Sequence, residues 1–578
     1  MAALSLVALL SAVRFLETGA GNIDDAFIVL VYARHLLATG TFFYNQGDGA
    51  VDGFTSLLDV LVKAAVLAVV PLDGVAVLWW LSLGQHVAIG VGAFLLARWL
   101  LRRWPMARSL WVATLAGLAL GTAQALADGA VFLLETPLIV GLGLAAVAWL
   151  ALRPPATTPA RLAWLGCLML LVLARPEGLP LALLLLGVAV WPDRRGWLPL
   201  AGLFLLAVLG YFTWRIQVFG FWAPNTYYAK TSATRWFEVR DGGRYLLAFF
   251  AGAGAPPLLI ALLLPLLGWR LGWTDAALRR GFWLSTTAAW LLLGGVVWSG
   301  GDCYSGGRFL ALPLALGTLA LLLAALGTGG AATRWLQRGL VLVVAVQLAA
   351  LVVIPLDYFG LLRAPPPPPP NLAGAPPPQP PRPPPPQPRP PSPQPRPPPT
   401  SPHGPQYPAR LPSSAAAFAC NRDAALVLAE IAAKKPGAVV AQTDFQRAKY
   451  FADALNLLDL SGLNSARIAH RPVADPVQWG KVDLAEAARM RPELLVLGHH
   501  LVPTAEPMAL HALADALGKP ELDARFCAFG LDPALVAALS EVYDAASISN
   551  CGGYFNFLVR RDMGRVVRQF GGLVHTGR

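Results

Sequence analysis

Apolar residues run in long blocks from the first residue to about 356, separated by short polar stretches. A membrane-crossing helix needs about 20 mostly apolar residues. By that measure there are eleven candidate spans, at roughly 1–17, 75–101, 109–127, 137–152, 162–175, 178–191, 197–214, 256–269, 281–299, 309–327 and 339–356. The first is short and carries Arg14 with no basic flank before it. It reads as a signal peptide, a truncated helix or a misassigned start. Counting it as a helix closes the topology. Residues 24–39 and 54–70 also show helical patterns, but hold Arg34 and His35, and Asp59 and Lys63. Both are expected as helices at the outer interface, one face in lipid.

Residues 365–408 contain 26 prolines. Such a run forms neither helix nor sheet ladder and reads as a spacer, with a docking site for a proline-binding module as the alternative. About 170 residues of ordinary soluble composition follow. GAVVAQTDF (437–445), LLVLGHH (494–500) and YFNFLVRRD (554–562) read as strands, and 424–434 and 482–490 as amphipathic helices. The expected architecture is a multispan α-helical membrane bundle over 1–360, a proline-rich linker over 361–408 and an α/β domain over 409–578.

Charge orients the bundle. Arg98, Arg102, Arg103 and Arg108 cluster in one loop. Arg153 with Arg161, Arg194 with Arg195, Arg270 with Arg279 and Arg280, and Arg334 with Arg338 follow in alternate loops. By the positive-inside rule these loops face the cytoplasm. The intervening loops carry most of the acids, including Asp24, Asp25, Asp48, Asp52, Asp59, Asp73, Glu135, Glu177, Glu238, Asp241 and Asp302. The chemistry and the C-terminal domain are therefore expected on the extracytoplasmic side of the membrane.

Composition agrees: 56% of the 578 residues are hydrophobic and 13% charged, against about 25% charged in soluble proteins. That argues against a cytosolic enzyme. The net charge of +12 lies mainly in the loop clusters, so nucleic acid is not an expected partner. Five cysteines without a CxxC pair exclude a disulfide scaffold and a zinc ribbon. Cys420, Cys527 and Cys551 allow one disulfide, with Cys527–Cys551 nearest in sequence. His499 and His500 on a strand would point to opposite faces, so no metal site is expected there.

Asp24–Asp25 is the strongest local signal. At a helix start the pair can simply cap and complement the dipole. Side by side, two carboxylates also repel, which raises one pKa and suits a general base, or one can hold a cation. FFYNQGDGAVDGFTSLL (42–58) reads as turn chemistry opening the second interfacial helix. In LETPL, Glu135 precedes Pro137 at a helix start. In LARPEGLP, Arg175 and Glu177 break two apolar runs, which a local ion pair explains. WAPNTYYAK holds Asn225 and Lys230, and GGDCYSGGRFLALP holds Asp302 and Arg308. Singly, these cations fit interfacial snorkelling. Several on one face fit a phosphate site, with Arg308, Arg175 and Lys230 gripping the anion and Glu135, Glu177, Asn225 and Asp302 lining the substrate.

DDAFIVLVYARHLLATGTFFYN, VDGFTSLL, LETPL, LARPEGLP, APNTYYAK and GGRFLALP, in this order, resemble the multispan GT-C glycosyltransferases. The closest resemblance is to the mycobacterial and corynebacterial β-arabinofuranosyltransferase that caps cell-wall arabinan. It covers about 24–320, and residues 443–464 are similar to that family's outer C-terminal domain. The resemblance implies a polyprenyl-phosphate sugar donor, foremost decaprenyl-phospho-arabinofuranose, and a glycan or glycoprotein acceptor. It also implies inversion at the anomeric carbon, no nucleotide site and no cofactor. By similarity Asp24 is the base and Asp25 assists. Mannosyl or other glycosyl transfer is the nearest alternative, followed by a lipid-linked sugar flippase and a non-catalytic scaffold. No internal repeat of the transporter kind is present.

Overall fold

The computed structural model describes residues 1–18, 24–70, 74–102, 104–231, 235–250, 263, 265, 266, 268–302, 307–358, 414–443, 446–471, 484–496, 507, 533–550 and 553–575. The helices of the first part are α1 (Ala2–Thr18), α2 (Asp24–Thr39), α3 (Leu57–Val69), α4 (Gly74–Leu100), α5 (Met106–Gly121), α6 (Gln124–Val131), α7 (Thr136–Leu152) and α8 (Thr158–Ala174). They continue with α9 (Gly178–Val190), α10 (Arg194–Phe219), α11 (Asn225–Lys230), α12 (Arg235–Phe250), α13 (Ala276–Trp298), α14 (Ala311–Gly327) and α15 (Gly330–Tyr358).

Among the described residues, four stretches, Gly74–Leu100, Arg194–Phe219, Ala276–Trp298 and Arg308–Gly327, are long and apolar enough to cross a bilayer. They mark an integral membrane protein. The bent pair α5–α6 makes a fifth if it counts as one span. Ala2–Leu16, α7, α8 and α9 are apolar but shorter. Helices occupy the expected spans except 256–269, which falls largely outside the described residues. α14 is the centre of the bundle, buried along almost its whole length. Small residues let neighbours touch closely. A Cβ on Gly121 would fall 1.9 Å from Ser11 Oγ, and one on Gly90 3.0 Å from Gly121 Cα, where α1, α4 and α5 meet.

The C-terminal part begins with α16 (Ser414–Ala433) and carries strands β1 (Val439–Gln442), β2 (Asn456–Asp459), β3 (Leu494–Val496), β4 (Tyr543–Asn550), β5 (Gly553–Arg560) and β6 (Leu573–His575). They form one sheet in the order β2-β1-β3-β5-β4-β6. β2, β1 and β3 are parallel and the remaining pairings antiparallel. A short helix, α17 (Arg447–Phe451), follows β1. His499, His500 and Cys527 lie outside the described residues, as do Cys551 and the Cys420 side chain.

The two parts share a core. Ile28, Val31, Tyr32, Tyr44, Phe54 and Val60 belong to the same buried apolar cluster as Leu428, Val440, Leu457, Val496 and Phe557. The expectation that α2 lays one face in lipid is therefore corrected. Every residue from Ala26 to Ala33 is at most 6% exposed, because bundle and sheet domain cover opposite sides of the helix.

Candidate active site

Local chain logic delivers charged side chains to one place. α7 opens with Pro137 in its first turn. Glu135, at the cap position, makes no capping bond, so its carboxylate is available elsewhere. It meets the guanidinium of Arg175, where α8 ends in extended backbone. Arg175 also pairs with Glu177, at the start of α9. Gly307, at φ 79°, turns the chain by a left-handed step into the short 3-10 turn that carries Arg308.

Arg308 donates Nε and Nη2 to the two oxygens of Asp302, the second bond at 3.1 Å. The same Nη2 lies 3.5 Å from Asp25 Oδ2, in the first turn of α2. The Phe309 ring lies against both arginines, 5.2 Å from the Arg308 guanidinium carbon and 4.7 Å from that of Arg175. On α3, Lys63 Nζ donates to Asp59 at 2.6 Å and to the Leu133 carbonyl at 2.7 Å. Leu133 holds φ at 57°, a backbone state uncommon for a residue with a side chain and met mostly where the surroundings enforce it.

Burial alone would raise the Glu135 carboxyl. The Arg175, Arg308 and Lys63 cations outweigh it and hold the group below its ordinary range. Burial lifts the Asp59 carboxyl, with Lys63 opposing and Glu135 adding to the lift. These mutual influences make one network of Asp25, Asp302, Arg308, Arg175, Glu135, Glu177, Lys63 and Asp59. Carboxylates outnumber cations in it. Net charge alone would therefore not draw an anion here; one would have to be met directly by oriented guanidinium donors.

The structure thus gathers six of the sequence-derived site residues: Asp25, Glu135, Arg175, Glu177, Asp302 and Arg308. Neither arginine stands free; both are held by acids. Asp24 opens α2, and its side chain lies outside the described residues, as do residues 303–306 beside Arg308. Lys230 and Asn225 lie on α11, outside this network. Among the described residues no acid pairs with Lys230. Asn225 is buried and donates its backbone N–H to the Asp52 carbonyl at 2.9 Å.

α11 belongs to a second polar group that the sequence reading passed over as turn chemistry. Asp52 is buried and ion-paired with Arg215, which Tyr211 accepts at 2.9 Å. The available signal was Arg215 itself, a lone cation closing the apolar run 197–214. Burial pushes the Asp52 carboxyl up to about 7, although the Arg215 guanidinium pulls it down. With its folded pKa raised, Asp52 contributes most below the unfolded value near 4, and that contribution is lost as pH rises to about 7. From pH 4 to pH 7 the wild type should lose on the order of a few kcal/mol relative to Asp52→Asn. Thermal unfolding of the two proteins at each pH reads this out. Parallel curves would contradict a buried, proton-retaining Asp52.

No family model matches the chain, and no curated protein matches it. Among solved structures it is similar to ArnT from Cupriavidus metallidurans bound to undecaprenyl phosphate, at 18% identity and a TM-score of 0.39. That alignment covers 60% of this chain and 64% of the other, under two thirds of its length. The apo state of the same protein aligns at 17% identity and a TM-score of 0.36, over 85% of this chain and 80% of that one. Likenesses this distant leave the reaction to be read from the chain's own residues.

Proposed function

We propose that the chain is a GT-C-type membrane glycosyltransferase. It transfers a sugar, foremost arabinofuranose, from a polyprenyl-phosphate donor to a glycan or glycoconjugate acceptor, with inversion. The observation that carries the reading is the Asp24–Asp25 helix start, whose Asp25 carboxylate lies 3.5 Å from Arg308 at the edge of a buried charged network. An acid facing a guanidinium across a short gap matches what the transfer needs at its two ends. Asp24 takes the proton of the acceptor hydroxyl as its oxygen bonds to the anomeric carbon. The bond from that carbon to the phosphate oxygen breaks, and the electron pair stays on the phosphate. Arg308 and Arg175 stabilise that charge, with Lys230 as a further cation near the lipid head. Asp25 fixes Arg308 relative to Asp24. Glu135, Glu177 and Asp302 orient the arginines, and these acids together with Asn225 bind the sugar hydroxyls.

The arginine alternation supports an eleven-span topology with site and sheet domain on the extracytoplasmic side. A cysteine placed near residue 400 should react with a membrane-impermeant thiol reagent in intact cells, and one near residue 195 should not. Labelling of both, or the reverse pattern, contradicts the topology. The sugar is tested by offering purified protein a panel of polyprenyl-phosphate sugars. Consumption of the arabinofuranosyl donor alone supports the reading. Consumption of a mannosyl donor instead keeps the reaction and changes the sugar.

A further inference from the structure

In sheets with parallel strands, ligands bind outside the carboxyl ends of those strands. In the C-terminal domain, β2, β1 and β3 are the parallel strands, and the carboxyl ends of β1 and β2 are rich in polar groups. Asp459 accepts from the backbone N–H of Ser461 at 3.0 Å and of Asn464 at 2.8 Å, closing the turn after β2. Asn464 Nδ2 donates to Gln446 Oε1 at 3.0 Å, across to the segment after β1. This is how a small-molecule cleft is furnished, but the occupant is the chain itself.

Tyr32 of α2 donates its hydroxyl to Asn464 Oδ1 at 3.2 Å, and Tyr44 donates to Gln446 Oε1 at 2.7 Å. Gly53 packs so close that a Cβ there would lie 2.0 Å from Asn464 Oδ1. At the sheet edge, Asn45 Nδ2 donates to the Leu457 carbonyl at 2.8 Å, and the Leu457 N–H donates to Asn45 Oδ1 at 3.0 Å. The side-chain amide thus stands in for a neighbouring strand and closes an edge that would otherwise be open. His35 bridges the Phe43 carbonyl and Asp453, at 2.9 Å to each. Nearer the start of α2, Phe27 packs on Tyr450 and Phe451, at ring distances of 5.4 and 5.9 Å. Phe27 is two residues from Asp25.

We propose that the C-terminal domain is a fixed part of the catalytic frame, docked through the carboxyl end of its own sheet onto α2 and the 42–53 loop. Asn45, Tyr32 and Asn464 are its positioning residues. This rests on the glycosyltransferase reading only for its consequence for turnover; the docking stands on geometry. A helix held on both sides over this length has little freedom to tilt its first turn, so Asp25 keeps its place opposite Arg308. The proline-rich linker then serves to connect the two parts and not to hold them.

The test uses the full chain with a protease site inserted near residue 385, purified and then cleaved. The two fragments should co-migrate on size exclusion, and sugar transfer should stay within about twofold of the uncut protein. Asn45→Leu keeps the volume and removes both edge bonds. In that protein the cleaved C-terminal fragment should dissociate at a lower urea concentration than in the wild type, and kcat should fall about tenfold or more while donor KM holds within about twofold. Tyr32→Phe, a milder change that keeps the ring packing, should lower kcat in the same direction with the fragments still joined. Separation of the fragments in the wild type would overturn the docking. Full turnover in Asn45→Leu, with the urea dependence of dissociation unchanged, would overturn the positioning role of the docked domain. An uncut protein that docks but transfers no sugar would count against the glycosyltransferase reading alone.

Discussion

Asp24→Asn is expected to abolish sugar transfer while the bundle stays folded. Asn caps a helix about as well as Asp and matches it in size, so the start of α2 survives and only the basic carboxylate is lost. General-base catalysis contributes about 100- to 10,000-fold, and the loss of kcat should fall in that range with donor affinity little changed. Asp25→Asn should be milder, because Asp25 leans on Arg308 at 3.5 Å and acts by holding it. The reverse order of severity would exchange the roles of the two acids. Normal turnover in both variants would reduce the pair to a helix start and remove the mechanism. Inhibition of the wild type by a chelator would instead make the acids cation ligands.

Arg308 should give the second-largest effect, and the choice of substitution decides what is learned. Arg308→Ala would strand Asp302, which is buried and held by the guanidinium fork. Removing one partner of a buried pair costs about 3–5 kcal/mol, so that variant reports on folding. Arg308→Lys keeps a cation but cannot reproduce the two-point grip on Asp302 or the planar contact with Phe309. It should fold and lose on the order of 10- to 100-fold in kcat, less than the loss of a whole oriented donor. Unchanged turnover and donor affinity would leave Arg308 as a structural clasp for Asp302.

Helix positions were legible because apolar blocks between arginine loops leave the backbone few alternatives to helix in a bilayer. The short motifs around Glu135, Arg175 and Arg308 were legible as candidates. Their convergence was not, because Glu135 and Arg175, 40 positions apart in the chain, and the more distant Arg308 meet only when α7, α8 and α14 pack. Lys63 and Asp59 stood out as charges interrupting an apolar stretch, yet nothing local showed that they would face Glu135. The placement of α2 was misread for a recognisable reason. AFIVLVYA (26–33) is apolar on every side of a helix, and such a helix is buried all round and not laid along a surface. That pattern pointed to a second covering layer, which the sheet domain supplies. The docking bonds of Asn45 and Tyr44 left no trace in a segment whose glycines and acids look like any turn.

The proposed reaction breaks the bond between a sugar and a lipid-linked phosphate. Purified full-length protein in nanodiscs, incubated with polyprenyl-phospho-arabinofuranose and an arabinan acceptor, tests it most directly by mass spectrometry. One free polyprenyl phosphate is expected for each arabinofuranosyl unit gained by the acceptor, with neither product formed by Asp24→Asn. Complete recovery of intact donor lipid, with the acceptor unchanged and the protein folded, would contradict it.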